Sequence, residues 1–395
     1  MAFPDGWTSK AEITLYASKV GTSTTNTPTL ITHQHLIANC PEIFDADGTN
    51  PALNGGGDVR LALDSDGATQ LPIDLVGFVT DNTPTNGKAK IWTKLDRDSA
   101  IDDTIWIFWG KTDATQDART STYGAENVWT SSFSRVWHLN EGQTTSTDGY
   151  KEMTSNAAHG TGTSMSAATG TDPWGFSCSA FDEADDQILG PAITIAEPFT
   201  LMCLFRTSEI GLFKEEIAVS VGDSTASQHT GVGWIISNPS IGGRGPSYFN
   251  TPNTGVTLAS DTWTFVAARA VSDTSRYVYC NKTMSAQGTD TVSINYNRSA
   301  IGRPAGSVRE RAFDGQICEA FIRNVDTPQT WLDILYENLI NTSSFAVSGA
   351  RQDHGLFTYE ATAGSLSFSG ISAEHELGGV SYDAGGLLPT DVWIF

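Results

Sequence analysis

Apolar runs of about five to eight residues are cut every ~8–12 residues by Gly, Pro, Asn, Asp, Ser or Thr along nearly the whole chain. A helical bundle needs longer periodic segments, whereas strands joined by tight turns fit this spacing, so the expectation is an all-β protein. With 395 residues, 39% of them hydrophobic, and 11 Trp, the chain can fill more than one core.

The first stretch holds the strand-like pieces "AEITLYASK", "PTLITHQHL", "DVRLALDSDGATQLPIDLVGF", "AKIWTKL" and "DDTIWIFWG". Asp64, Ser65, Asp66 and Gly67 join two of them as a hairpin turn, because short carbonyl side chains and a Gly tolerate positive φ. Residues 111–130 lack a clean period and read as a connector. From Phe133 the pattern resumes through "SRVWHLNEG", "GFSCSAFDEADDQILG", "FTLMCLFRTS" and later runs to "GQICEAFIRNV", which fits a two-sheet jelly roll. One helix is expected in "TPQTWLDILYENLI", with Thr327 as cap, Pro328 in the first turn, and Trp331, Ile334, Leu335 and Leu339 on one face. The Gly-rich, alternating text from Ser343 reads as a small C-terminal β arm whose last residues, "DVWIF", dock on something apolar. The expected organisation is therefore two β-sandwich (jelly-roll) domains in tandem, residues 1–130 and 131–342, one short helix on the second, then an arm over 343–395. No 20–50-residue repeat supports a solenoid or propeller.

A formal charge of −22, from 45 acidic and 23 basic residues, repels phosphate backbones and anionic membranes, so neither nucleic acid nor membrane insertion is expected. No run is long and apolar enough to span a membrane, and the first residues, "MAFPDGWTSKAEITLYASK", lack a basic n-region and an apolar h-region. Cys40, Cys178, Cys203, Cys280 and Cys318 show no CxxC pair and mostly sit in apolar runs, as reduced core residues do.

The stretch Trp106, Phe108, Trp109, Gly110, then Val128, Trp129, Phe133, Val136, Trp137, His138 and Leu139, resembles the uncharacterised bacterial and viral family named domain of unknown function 2341. That family commonly precedes a laminin-G-like, concanavalin A-like jelly roll. The remainder resembles one in "SAFDEADDQIL", in "WTFVAARAVSDTSRYVYCN", and in "FDGQICEAFIRNV" followed by "WLDILYENL". Cys280–Asn281 stands where the pattern has Asp–Gly, and Cys318–Glu319 where it has Asp–Glu. The resemblance implies that Trp137 and Leu139 point inward from the first jelly-roll strand and that a loop begins at Glu141.

Several groups could carry chemistry. His138 and Glu141 form an acid/base candidate, but positions i and i+3 of a strand face opposite ways. Hydrolases of this jelly roll resemble one another in a Glu-x-Asp-x-x-Glu strand, and that string does not occur; Glu319 is the best single carboxylate for a hydrolase. Asp182, Glu183, Asp185 and Asp186 could ligate Ca2+ with Asp148 and Asn156 from the preceding loop, or serve only as solvated turn acids. "DADG" and "DSDG" lack the remaining ligands of a calcium loop, "GKT" lacks its phosphate-loop Gly, and "GDST" lacks a strand–turn–helix setting, so each reads as a turn or strand end. His33 and His35 alternate on one expected strand, as a metal pair or a half-exposed face. Trp174, Trp234, Tyr248 and Phe249 lie beside Gly, Pro, Asn and Ser, where aromatic faces can stack on sugar rings.

The expected function is non-catalytic adhesion or surface display on a bacteriophage virion, as a tail, fibre or capsid-decorating protein. Its partners would be host surface glycans, other virion proteins and further copies of itself. A decoration protein that binds only neighbouring subunits, and a polysaccharide hydrolase, are the alternatives.

Overall fold

The computed structural model describes residues 3–208, 210, 215–235, 238–244, 248–250, 254–289, 294–306, 312–354, 358–362 and 365–369, with the backbone alone for 215, 234–235, 238–244, 248–250, 358–362 and 365–369. The chain is all-β, in two sandwiches.

The N-terminal sandwich contains β1 (Ser9–Leu15), β2 (Thr24–Thr32), β3 (Arg60–Ala62), β4 (Gln70–Leu71), β5 (Ile73–Val79), β6 (Lys88–Arg97) and β7 (Asp103–Trp109). Every second residue of β1 is buried, as a two-residue period on a half-covered sheet requires. Ile13, Ile31, Phe44, Ile91, Ile105 and Trp109 close its core. The expected hairpin is present: Leu61 pairs with Leu71, Asp64 accepts the Thr69 N–H, and Gly67 takes φ 76°. "THQHL" is not a continuing strand. Its residues His33–Leu36 form one helical turn (α1), in which His35 Nδ1 accepts the Thr32 N–H at 3.1 Å. Nε2 of His35 meets the Thr342 carbonyl at 2.7 Å, and burial lowers its pKa to about 4. Spent on these bonds, His35 is a cap and not half of a metal pair.

The jelly roll follows, with β8 (Phe133–Trp137), β9 (Thr161–Thr163), β10 (Gly170–Thr171), β11 (Ser177–Asp182), β12 (Gln187–Leu189), β13 (Phe199–Arg206) and β14 (Glu215–Gly222). It continues through β15 (His229–Ile235), β16 (Asn238–Arg244), β17 (Tyr248–Asn250), β18 (Thr264–Ser272), β19 (Ser275–Cys280), β20 (Thr283–Met284), β21 (Arg298–Ile301) and β22 (Asp314–Arg323). One sheet runs β10-β11-β22-β13-β18-β19-β20, with β8 also on β22; the other runs β17-β16-β15-β14-β21-β12-β9. Trp137 and Leu139 do point into the core between them, with Phe199, Phe205 and Ile317. At the unusual Cys280–Asn281 position, Asn281 and Lys282 both take positive φ (44° and 72°) and Cys280 pairs with Thr283. This is the two-residue turn that suits a right-twisted hairpin.

The helix is α2 (Gln329–Ile340), but Thr327 does not cap it. Its N–H donates to Thr200 Oγ1 and its hydroxyl oxygen accepts from Arg323 Nη1, so Thr327 ties the helix start to the sheet. Nor does α2 belong to the second sandwich alone. Trp331, Leu332, Leu335 and Leu339 join Met202, Leu204 and Phe265 of the jelly roll and Leu30 and Trp92 of the first sandwich in one core. Asn338 closes both backbone groups of Leu30, at 2.6 and 2.9 Å.

After a last helical turn (Thr342–Phe345), β23 (Ala346–Ser348) and β24 (Gln352–Asp353) pair with β1, giving the order β23-β1-β7-β3-β4 with β24 also on β1. Residues 346–353 are therefore edge strands of the first sandwich and not the start of an independent arm. Beyond them β25 (Thr358–Thr362) and β26 (Ser365–Ser369) form a hairpin, and "DVWIF" lies outside the described residues.

Candidate functional site

The strongest concentration of ionisable side chains lies between the sandwiches. β5 supplies Asp74 and β6 supplies Lys90; from the jelly roll come His138, just past β8, Asp172, just past β10, and Glu319 of β22. Acid and base alternate: Asp74 Oδ2 to His138 Nε2 at 2.9 Å, His138 Nδ1 to Glu319 Oε2 at 2.8 Å, Glu319 Oε1 to Lys90 Nζ at 2.8 Å, and Lys90 Nζ to Asp172 Oδ2 at 3.0 Å. Trp129 Nε1 donates to Asp74 at 2.8 Å, and the Lys90 ammonium lies 4.7 Å from the Trp174 ring centre. Cys318 is the unpaired residue where the β13–β22 register shifts, next to Glu319 on the strand.

These side chains are at most 3% exposed. Burial opposes the positive charge of His138, but Glu319 and Asp74 outweigh it and raise its pKa to about 9. Burial likewise opposes the Glu319 charge, and His138 and Lys90 overcome that and hold its carboxyl below the usual range. An acid or base needs a path to a substrate atom. Both ring nitrogens of His138 and both oxygens of Glu319 already face partners inside the protein, which makes the array a fastening between domains. Glu141 is not part of it: its Oε1 accepts the Lys151 N–H at an exposed turn.

Open chemistry lies at one end of the jelly roll. A groove of ≈ 360 Å³ is lined by Asp182, Arg206, Thr207, Asp261, Asp314 and Gln316, among others. Arg206 Nη2 donates to Gln316 Oε1 at 2.8 Å, and its guanidinium lies 5.4 Å from the centre of the half-buried Trp263 ring. Gly315 has φ 138°, and a Cβ there would collide with the Arg206 carbonyl, so bare backbone forms the groove floor at that point.

Of the calcium candidates, Asp182, Asp185 and Asp186 do converge, with ligand oxygens within 4.8 Å of one another. Ser166 already donates to Asp182 at 3.0 Å and, through its N–H, to Asp186 at 2.9 Å, which is how a turn cluster satisfies itself without an ion. Asp148 and Asn156 do not join them. The Asp148 N–H bonds Thr161 Oγ1, whereas Gln187, next to Asp186, pairs with Thr163 two residues along β9; Asn156 Nδ2 bonds the Ser134 carbonyl. Trp174 is 1% exposed and presents no open face to a sugar. The side chains of Trp234, Tyr248 and Phe249 lie outside the described residues. The motif "GDST" is a turn, in which Asp223 Oδ1 accepts the Thr225 N–H and hydroxyl.

No protein-family model matches the chain, and no curated protein matches it either, so the family resemblance rests on the quoted motifs alone. Among solved structures the chain is similar to domain 4 of AbnA, a GH43 extracellular arabinanase from Geobacillus stearothermophilus, in complex with arabinotriose. Identity is 16% over 51% of this chain and 97% of that one, at a TM-score of 0.40. It is also similar to the CBM40 of Ruminococcus gnavus IT-sialidase bound to α2,3-sialyllactose, with 12% identity over 38% of this chain and 97% of that one, at a TM-score of 0.29. A third likeness is to the botulinum neurotoxin serotype D ligand-binding domain in complex with N-acetylneuraminic acid. There identity is 10% over 52% of this chain and 50% of the other, at a TM-score of 0.37.

Proposed function

We propose that the protein is a non-catalytic glycan-binding protein displayed on a bacteriophage virion. One observation carries the binding half. The groove at Arg206 gathers hydroxyl-pairing donors and acceptors, Arg206, Gln316, Asp182 and Asp314, and the Arg206 guanidinium is held over the Trp263 ring beside it. Convergent polar groups of this kind pair sugar hydroxyls, and Trp263 positions Arg206 among them. The non-catalytic half is supported by the sealing of His138 and Glu319 beneath the N-terminal sandwich. Assembly in a reducing bacterial cytoplasm suits five cysteines that are all unpaired and buried.

The test is a glycan array with the purified protein, in calcium and in chelator, repeated with Trp263→Ala. The expected result is reproducible binding that falls at least about tenfold in the variant, a loss of 1.4 kcal/mol or more. A blank array from well-folded protein overturns the binding half and favours the particle-building alternative. Absence of the protein from purified particles overturns the display half.

A further inference from the structure

A second cleft, of ≈ 470 Å³, opens where β8 leaves the connector, away from the Arg206 groove. Its lining includes Ser134, Arg135, Asn156, Ile193, Thr194 and Asn324, and Arg135 is the sole ionisable residue in it. On a chain with 45 acidic residues against 23 basic ones, a cleft free of carboxylates is unusual.

Arg135 is 5% exposed, and the only partners of its guanidinium among the described residues are two carbonyls, Ser134 at 2.7 Å and Ala192 at 3.3 Å. Its Nε, like those of Arg119, Arg323 and Arg351, has no hydrogen-bond partner among the described residues. Arg60, Arg97, Arg119, Arg269, Arg276 and Arg351 are each paired with a carboxylate, whereas Arg135, with Arg206 and Arg323, is bonded there only to uncharged oxygens. The nearby Glu152 attracts Arg135 electrostatically but does not bond it: its Oε1 accepts the Val136 and Thr154 N–H groups and its Oε2 that of Ala158. A buried cation with no directly bonded carboxylate gains from one that a ligand supplies.

The geometry points to this cleft as a binding site for the carboxylate of an acidic sugar. Each terminal nitrogen of Arg135 gives one hydrogen to a carbonyl and retains another, and the two-pronged carboxylate matches such a guanidinium edge. Around it, Asn324 holds Ser134 through Oδ1 and keeps its amide N–H groups for a ligand, while Asn156 holds Ser134 through Nδ2 and keeps Oδ1. With the hydroxyl of the exposed Thr194 these pair sugar hydroxyls.

Calorimetric titration with glucuronate, N-acetylneuraminate, glucose, acetate and sulfate tests the assignment. Binding of at least one acidic sugar, at least tenfold tighter than glucose and acetate, is the expected result. Thr194→Asp, an exposed rim change that adds a negative charge beside the cleft, should weaken acidic-sugar binding at least tenfold with no loss of melting temperature. Trp263→Ala should leave that binding unchanged, which separates this site from the groove at Arg206. Arg135→Lys, keeping charge but losing the planar fork, should bind more weakly than the native chain. Equal binding of glucose and glucuronate, no binding by the folded protein, or an unchanged affinity in Thr194→Asp would each overturn the proposal. Sulfate binding as tightly as the sugars would reduce the site to one for inorganic anions and overturn the sugar assignment.

Discussion

Glu319→Gln is the most informative single change, because Gln keeps the shape and removes one acceptor and the charge. Glu319 Oε2 faces His138 Nδ1 at 2.8 Å and Oε1 faces Lys90 Nζ at 2.8 Å. A Gln amide offers one oxygen and one NH2; with the oxygen on Lys90, the NH2 faces His138 Nδ1, which is a donor while the imidazole is charged, so His138 must give up its proton or the contact. Removing one partner from a buried charge pair costs ~3–5 kcal/mol. For sandwiches of this size that lowers the melting temperature by roughly 6 °C or more, measured by calorimetry at pH 7. The native protein provides a second reading. The pKa of His138 rises from 6.5 unfolded to about 9 folded, equivalent to ~3 kcal/mol. Because the folded value is the higher one, that stabilisation is fully present below pH 6.5 and is lost as pH climbs through 9. Glu319 has the opposite sign: its folded carboxyl is held low, so its contribution is present above the ordinary carboxylate pKa and fades as pH falls. In Glu319→Gln the alkaline loss should still begin near pH 6.5 but be smaller and end at lower pH, because Asp74 alone supports the imidazolium. A destabilisation under ~1 kcal/mol, or a native stability flat from pH 7 to 10, would refute the fastening argument.

Further outcomes follow from other contacts. Asn338→Ala leaves the buried N–H and C=O of Leu30 unpaired and should cost ~2–3 kcal/mol by denaturant titration, with no change in ligand binding. Burial pushes the thiols of Cys40, Cys178 and Cys280 up to about 12 and that of Cys203 higher still, and raises that of Cys318 well above its ordinary value. Native protein should therefore resist thiol alkylation that goes to completion in denaturant, as mass spectrometry would record. Truncation after Ile340 strips β23 and β24 from β1 and should make the first sandwich the earlier target of limited proteolysis, whereas a chain ending at 354 should resist it.

Local chemistry was legible wherever it decided a turn or a face. The Asp64–Gly67 hairpin and α2 follow from periodicity and turn residues, and the inward Trp137 and Leu139 were what the family resemblance implied. Contacts between distant segments were not. "AKIWTKL" shows Lys90 on the same strand face as Trp92, but nothing local says that Asp172 and Glu319 await it 82 and 229 positions away. His35 looked like a strand residue because a four-residue helical turn is too short to leave a period. The return of residues 346–353 to β1 was equally hidden, since an edge strand reads the same whichever sheet it joins. One signal was available: a two-residue period puts Arg135 on the inward face with Trp137 and Leu139, where a charge demands an explanation.

The pairing of Ser9 with Asp353 and of Leu15 with Ala346 brings the two ends of the described core to one border of one sheet. A load applied between those ends therefore meets antiparallel neighbours at their open end and parts them one rung at a time, as a zipper opens. The jelly roll, looped between the two borders, carries no tension until β24 and β23 have let go. Mechanically, the jelly roll hangs slack while the first sandwich yields in sequence.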